Sequence, residues 1–334
     1  MGDLKIADEK HEIKGMKFRR ALIIGISGQD GSFLARFLLS KGYKVWGSSR
    51  DAQGGSFNNL NLLGIKAEIC LISIDPEDFR SVLLGLKNSR AEEVYFLAGQ
   101  SSVRLSFELP AETIQSHTFG LLNILEAVRF LNTPIKIFNA GSSEIYGDTQ
   151  GKAADESTPF RPKSPYGLAK ASTYWLAANY RDAYGLFVCT GILFNHESPF
   201  RPAHYVTQKI IQSAKRIASG SKEKLVLGRL DICRDWGWAP EYVEVMWMML
   251  QLQSPEDMLI ATGESYSLES FIETVFAKLG MDWRKHVVQD SKLYRPSDLE
   301  LSKASPKKAY QTLGWKAKYR MNDVIQMMLK NEFN

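Results

Sequence analysis

The run "ALIIGISGQDGSFLARFLLSKG", residues 21–42, decides the fold. An aliphatic stretch passes directly into Gly25, Gly28 and Gly31, and a helical pattern of apolar residues starts at once. Buried strand, tight glycine turn and helix, in that order, open a βαβ unit. The glycines permit the turn and leave backbone N–H groups at the helix N-terminus free to meet an anion. The spacing therefore predicts a dinucleotide pyrophosphate on Gly25, Gly28, Gln29, Asp30 and Gly31. A bare G-x-x-G-x-x-G also occurs in structural turns, and its place after the first strand gives it weight.

The same rhythm continues outward. Short runs rich in Ile, Val and Leu recur at 44–47, 67–72, 94–98, 135–140 and 187–194, with helical patterns between them. Strand–helix–strand alternation of this kind demands right-handed crossovers and a parallel sheet covered on both faces. The near-continuous apolar character of the strands fits burial on both sides. Beyond Asn195 the pattern turns irregular, with Pro, Arg and aromatic residues, as expected of a lobe over the strand ends. One amphipathic helix (239–251) and one strand (258–263) return to the sheet. The expected fold is an α/β, Rossmann-type doubly wound parallel sheet with a smaller C-terminal substrate-binding lobe. Its expected parts are a loosely ordered extension over 1–18, a dinucleotide-binding domain over 19–194 plus about 233–264, and a lobe over about 195–232 plus 265–334.

Composition narrows the function classes. The 334 residues are 44% hydrophobic and 24% charged, within the globular range, so a packed enzyme core is expected. The net charge of +5 is spread along the chain, which gives no nucleic-acid stripe and suits a small anionic substrate. Cys70, Cys189 and Cys233 are odd in number and far apart, pointing to reduced thiols and a cytoplasmic setting. No apolar run approaches the roughly 18 residues needed to cross a bilayer, so no membrane partner is expected. No set of residues has metal-ligand spacing.

Two further stretches carry chemistry. The second strand ends "WGSSRDA" (46–52), where an acid would take an adenosine ribose hydroxyl and an arginine a 2′-phosphate. Arg50 points to NADP, and the neighbouring Asp51 keeps NAD as the alternative. Asp75, after the third strand, fits either the adenine amino group or a helix cap. "SPYGLAK" puts Tyr166 and Lys170 four apart on one helix face. Free tyrosine titrates near ~10, and a close cation can lower that by about 1–3 units, enough for a usable base. Between turn and helix lies "GSSEIYG" (141–147), with Ser142 and Glu144 where a strand leaves the sheet. Their plain role is a cap or first turn.

Glycine turn, serine-rich strand end and Y-x-x-x-K together resemble the extended short-chain dehydrogenase/reductase family of nucleotide-sugar enzymes. The resemblance implies that Tyr166 is the base on a sugar hydroxyl, that Lys170 orients the nicotinamide ribose, and that Ser142 contacts the same sugar oxygen. It gives Glu144 a chemical role as the group that removes the C5 proton and protonates the departing C6 hydroxyl.

Four segments of the lobe look like the GDP-mannose 4,6-dehydratases: "NHESPFR" (195–201), "RDWGWAPEYVEVMW" (234–247), "ATGESYSLESF" (261–271) and "YRPSDLE" (294–300). This resemblance implies a GDP-sugar substrate, with Asn195 on a phosphate or sugar oxygen and Lys209 and Arg234 on the diphosphate or guanosine. Arg295 would reach the diphosphate and Asp298 the guanosine ribose. Each arginine also has a plain role as an ion-pair partner of Asp235 or Asp298. Ser142 stands where the family has Thr, Gln208 where Arg is usual, Trp238 where His is common, and Asp298 where Glu is usual. A homodimer through the helices near 112–130 and 165–184 is the family default. The loop 49–59 lacks the paired arginines of tetrameric members, so dimer and tetramer stay open. Alternatives are a related dehydratase, decarboxylase, epimerase or 4-reductase on another nucleotide sugar. A non-catalytic regulator is disfavoured, because Tyr166, Lys170 and Glu144 are all present.

Overall fold

The computed structural model describes residues 19–333; the expected extension over 1–18 lies outside the described residues. Seven strands form the central sheet: β1 (Arg20–Ile24), β2 (Lys44–Ser49), β3 (Cys70–Ser73), β4 (Glu93–Phe96), β5 (Lys136–Ala140), β6 (Val188–Leu193) and β7 (Met258–Ile260). Their order is β3-β2-β1-β4-β5-β6-β7, and every neighbouring pair is parallel. The order reverses between β1 and β4, so a crevice opens at the carboxyl ends of those strands, where ligands bind in open α/β sheets.

The alternation of side chains in β1 shows how the layers form. Ala21 and Ile23 join a core with helices α1 (Gln29–Ser40) and, later in the chain, Ala239–Leu250. Leu22 and Ile24 face the opposite core, built with α2 (Phe79–Ser89), α3 (Pro110–Leu131) and α4 (Pro165–Tyr184). With both faces covered, β1, β4, β5 and β6 tolerate continuous apolar sequence.

Two differences from the sequence expectation have physical causes. The apolar stretch 67–72 supplies only its last three residues to the strand Cys70–Ser73, and Lys66–Glu68 is a 3₁₀ turn. As the outermost strand, β3 pairs on one side only and is largely half-buried. The lobe is also more regular than expected. It contains α5 (Val206–Ala218), α7 (Leu268–Lys278) and α8 (Met321–Lys330), with α6 being the helix Ala239–Leu250. Ile210, Ile211, Ala214 and Ile217 recur at helical spacing and pack against Phe271, Val275 and Val324 in a separate lobe core. Trp236 and Trp238 are buried in that core. Trp247 packs edge-on against Phe37 with ring centroids 5.6 Å apart.

Candidate active site

The glycine turn works through close approach. Gly25 has φ +98°, and a side chain there would meet the backbone nitrogen of Ala98 at 2.8 Å. At Gly31 a Cβ would lie 2.4 Å from the carbonyl oxygen of Gly25, so the helix could not seat on the turn. Gly28 differs, because a Cβ there would meet only the Gly25 oxygen, at an ordinary 3.5 Å. The protein's own packing leaves that space free beside the first N–H groups of α1. A pyrophosphate fits such a cradle. Accordingly, Gly28→Ala should fold and melt as wild type while losing dinucleotide affinity, and Gly31→Ala should fail in both. Calorimetric titration beside thermal melting checks this; undiminished binding by Gly28→Ala would remove the cradle.

The turn is also tied to the lobe. His196 Nδ1 lies 2.7 Å from the carbonyl oxygen of Phe194 and Nε2 lies 2.9 Å from Asp30 Oδ2. Both ring nitrogens meet acceptors, so both donate and the ring is an imidazolium. Burial opposes the charges, yet each ion holds the other: Asp30 falls to about 2 and His196 rises. Gln29 donates to the carbonyl oxygen of His196 at 3.1 Å and accepts from Ser198 Oγ at 2.7 Å.

At the end of β5, Ser142 caps the 3₁₀ turn Ser143–Ile145 by accepting from the backbone N–H of Glu144 at 3.3 Å. The plain capping role is therefore real, and a second role coexists with it. The Ser142 hydroxyl also lies beside Tyr166, across the gap to α4, where it favours the phenolate. Helix α4 starts at Pro165 with Ser164 as its cap, accepting from Gly167 at 3.0 Å. A Cβ on Gly167 would lie 2.6 Å from the Glu144 carbonyl oxygen, so glycine there lets the helix start sit against the Glu144 turn. Tyr166 and Lys170 follow on one face, both buried.

Burial pushes the Tyr166 phenol well above its ordinary range, Tyr205 adds to this, and the neighbouring Ser142 hydroxyl opposes it. The Lys170 ammonium donates to the carbonyl oxygen of Ala140 at 2.8 Å. Burial pulls it down from 10.5 to about 7, with Asp30 opposing. The folded value lies below the unfolded one, so between about 7 and 10.5 the folded chain binds fewer protons than the unfolded chain. Stability therefore rises with pH across that window. Melts of cofactor-free protein at its two ends should show a larger gain for wild type than for Lys170→Met. Equal gains would mean that burial does not shift this lysine.

These groups line one cavity of about 630 Å³, which reaches from the Asp30 turn to the lobe. Asn195, Lys209, Arg234, Arg295 and Asp298 line it as well. Arg234 is buried, and after burial, which weakens its charge, Glu144 is the strongest favourable influence on it. Arg234 and Arg295 each stand 3.7 Å from Asp298 Oδ1, so the ion-pair role expected of them coexists with a place at the cavity wall. Asp235 instead accepts from the backbone N–H groups of Thr262 and Gly263, a structural task. Lys209 Nζ donates to the carbonyl oxygen of Val226 at 2.6 Å. Of the expected residues, Gly25, Gly28, Gln29, Gly31, Arg50 and Asp75 do not line this cavity. Arg50 is exposed past β2, and Asp51 turns its carboxylate onto the N–H groups of Gln53 and Gly54. Asp75 is exposed and accepts from the N–H of Glu77 at 3.1 Å.

Sequence reasoning missed Arg201, Tyr205, His117 and Ser101, which also line the cavity. Arg201, half-buried beside Glu197, lies 4.0 Å over the Tyr205 ring. His117 stands edge-on to Tyr166 with centroids 5.6 Å apart, and Nε2 donates to the carbonyl oxygen of Gln100. Burial and the Lys170 charge drive His117 down to about 3, so it is neutral. Its only sequence signal is a lone histidine in an apolar helix, which reads as core.

A family model for GDP-mannose 4,6 dehydratase matches residues 22–328. GDP-mannose 4,6 dehydratase 1 of Arabidopsis thaliana is 42% identical over 322 residues, covering 93% of this chain and 89% of the relative. GDP-mannose 4,6 dehydratase of Homo sapiens is 40% identical, covering 92% and 90%. Among solved structures, UDP-glucose 4-epimerase of Thermus thermophilus in complex with NAD superposes with a TM-score of 0.81 at 26% identity, over 94% and 98% of the two chains. With nearly its whole length matched, and the tyrosine, lysine and glutamate of the motifs brought to one cavity, the chain belongs to the GDP-mannose 4,6-dehydratase family.

Proposed function

We propose that the protein removes water from GDP-mannose to give GDP-4-keto-6-deoxymannose. The observation that carries this is one cavity that brings Ser142, Glu144 and Tyr166 together with Lys209, Arg234 and Arg295. The cations suit a diphosphate, which arginine forks bind well. We assign the dinucleotide to the sheet unit (19–194 and about 233–264) and the nucleotide sugar to the lobe (about 195–232 and 265–334).

A bound nicotinamide dinucleotide supplies a hydride acceptor for C4 and a donor for C6. Tyr166 takes the proton from the C4 hydroxyl, with Ser142 holding the same oxygen. The Lys170 ammonium stabilises the phenolate through its charge. Once C4 is a ketone, the C5 hydrogen is acidic, and Glu144 removes it and protonates the departing C6 hydroxyl. Water leaves with that proton. C5 must then be reprotonated, and the proton held by Tyr166 balances the sum, so no net acid or base is released. Incubating the purified protein with GDP-mannose and assaying the 4-keto product tests the proposal; intact GDP-mannose after prolonged incubation with NADP would sink it.

For the cofactor we favour NADP over NAD. Arg50 is exposed at the end of β2, while the competing Asp51 is occupied by its own loop. Calorimetry should show NADP binding more tightly, with the preference falling by about tenfold or more in Arg50→Ala, the scale of a charged hydrogen bond. Tighter NAD binding by wild type would reverse the assignment. A homodimer through α3 and α4 fits Leu168 and Trp175, seven residues apart and 48% and 61% exposed. Sedimentation equilibrium distinguishes it from a tetramer. Among the described residues no helix is long and apolar enough to cross a membrane. No disulfide joins Cys70, Cys189 or Cys233, and we place the protein in the cytoplasm, which cell fractionation tests.

A further inference from the structure

Beside Tyr166, and one helical turn before Lys209, lies a patch of the cavity wall to which the mechanism gives no task. Ser101, on the loop after β4, and Tyr205, the residue that opens α5, form it. Their hydroxyls lie 2.7 Å apart in a hydrogen bond that crosses from the sheet unit to the lobe.

Neither side needs this bond to hold its shape. The loop is fixed by Gln100, which donates to the carbonyl oxygen of Ser102 at 2.9 Å and to Thr113 Oγ1 at 3.1 Å. Ser102 caps the next helical turn at 3.2 Å, and His117 holds the Gln100 carbonyl at 2.8 Å. Tyr205 is fixed by the Arg201 guanidinium over its ring and by the N–H of Lys209, which donates to its carbonyl oxygen at 2.8 Å. A neutral hydrogen bond at a cavity mouth contributes little further stability.

What the pair offers is unused hydrogen-bonding capacity. Two hydroxyls carry two protons and four lone pairs. Their mutual bond uses one of each, leaving one donor and three acceptor positions, a set that matches a vicinal diol. Its place is equally specific. After burial, the Tyr205 phenol is the main influence raising that of Tyr166, and Lys209 follows Tyr205 one turn along α5. A hexose with its C4 oxygen on Tyr166 and its C1 diphosphate toward Lys209 passes Tyr205. Glu144 serves C5 and C6, which leaves the hydroxyls at C2 and C3.

Building on the proposed function, we infer that the Tyr205–Ser101 hydroxyl pair receives the C2 and C3 hydroxyls of the hexose and so selects the sugar. The test is calorimetric titration of the whole protein with GDP and with GDP-mannose. Wild type binds GDP-mannose more tightly. Tyr205→Phe, which keeps the ring, weakens GDP-mannose binding by about tenfold, the scale of one lost hydrogen bond, and leaves GDP binding and thermal melting unchanged. Ser101→Ala reproduces the loss by removing the other hydroxyl. Unchanged GDP-mannose affinity in both variants, or equal losses for both ligands, overturns the subsite. Wild type that binds GDP-mannose no better than GDP overturns it too. Tighter GDP-mannose binding without 4-keto product refutes the dehydratase activity alone, and the comparison of variants still decides the subsite.

Discussion

Glu144→Gln should bind nucleotide sugar, oxidise C4 and then stop, with kcat lower by about 10²–10⁴-fold, the usual contribution of a general acid–base group. The amide keeps the shape of the side chain, and the Ser142 cap is made to the backbone N–H of residue 144, so the turn survives the change. Arg234 loses the anion that favours its charge most, but it keeps Asp298 and the carbonyl oxygen of Leu299, which it meets at 2.7 Å. Substrate affinity should therefore change little. Rapid mixing with GDP-mannose should give a burst of reduced-nicotinamide absorbance that persists, because oxidation proceeds and elimination stalls. Near-normal turnover would return Glu144 to a capping turn and nothing more.

Tyr166→Phe should fail one step earlier, with a comparable loss in kcat/KM and no burst. Removing the phenolic oxygen leaves the C4 hydroxyl without a base, while Ser142 keeps its cap on the backbone N–H of Glu144. The ring remains, so the edge-on contact with His117 and the packing of α4 persist. A melting temperature close to that of wild type is expected, and a large drop would mean that the tyrosine supports the fold rather than the reaction. The pair of variants separates two roles that a single activity loss would merge. A missing burst in both would move Glu144 to the hydride step.

How much of this was legible follows from the range of the interactions. The glycine turn, the strands and the Tyr166–Lys170 pair are local, so their spacing carried them. The lobe helices were equally local in pattern, at Ile210, Ile211, Ala214 and Ile217, and were obscured by surrounding Pro and Arg. The ion pair of Asp30 with His196 joins residues 166 apart, and Ser101 meets Tyr205 across 104. Neither leaves a periodic trace, since each partner alone resembles an ordinary loop residue. Arg201 closes the motif that starts at Asn195, yet only its stacking on Tyr205 places it at the cavity. Arg234 and Asp298 were legible as residue types, and the structure adds that they are already neighbours.

The strap from Asn195 to Ser198 bears on how such a chain can be recombined. Its strand pairs with Trp236–Trp238, yet its side chains and backbone serve the glycine turn of the first helix, through His196 on Asp30 and Ser198 on Gln29. By connectivity it follows the sheet, and by contact it belongs to the dinucleotide cradle. A chimaera that exchanged lobes between relatives at Asn195 would bring a foreign imidazole and hydroxyl to a turn shaped around its own. Grafting after Ser198 keeps the ion pair and both glutamine contacts in one parent, so the exchangeable module starts at Pro199.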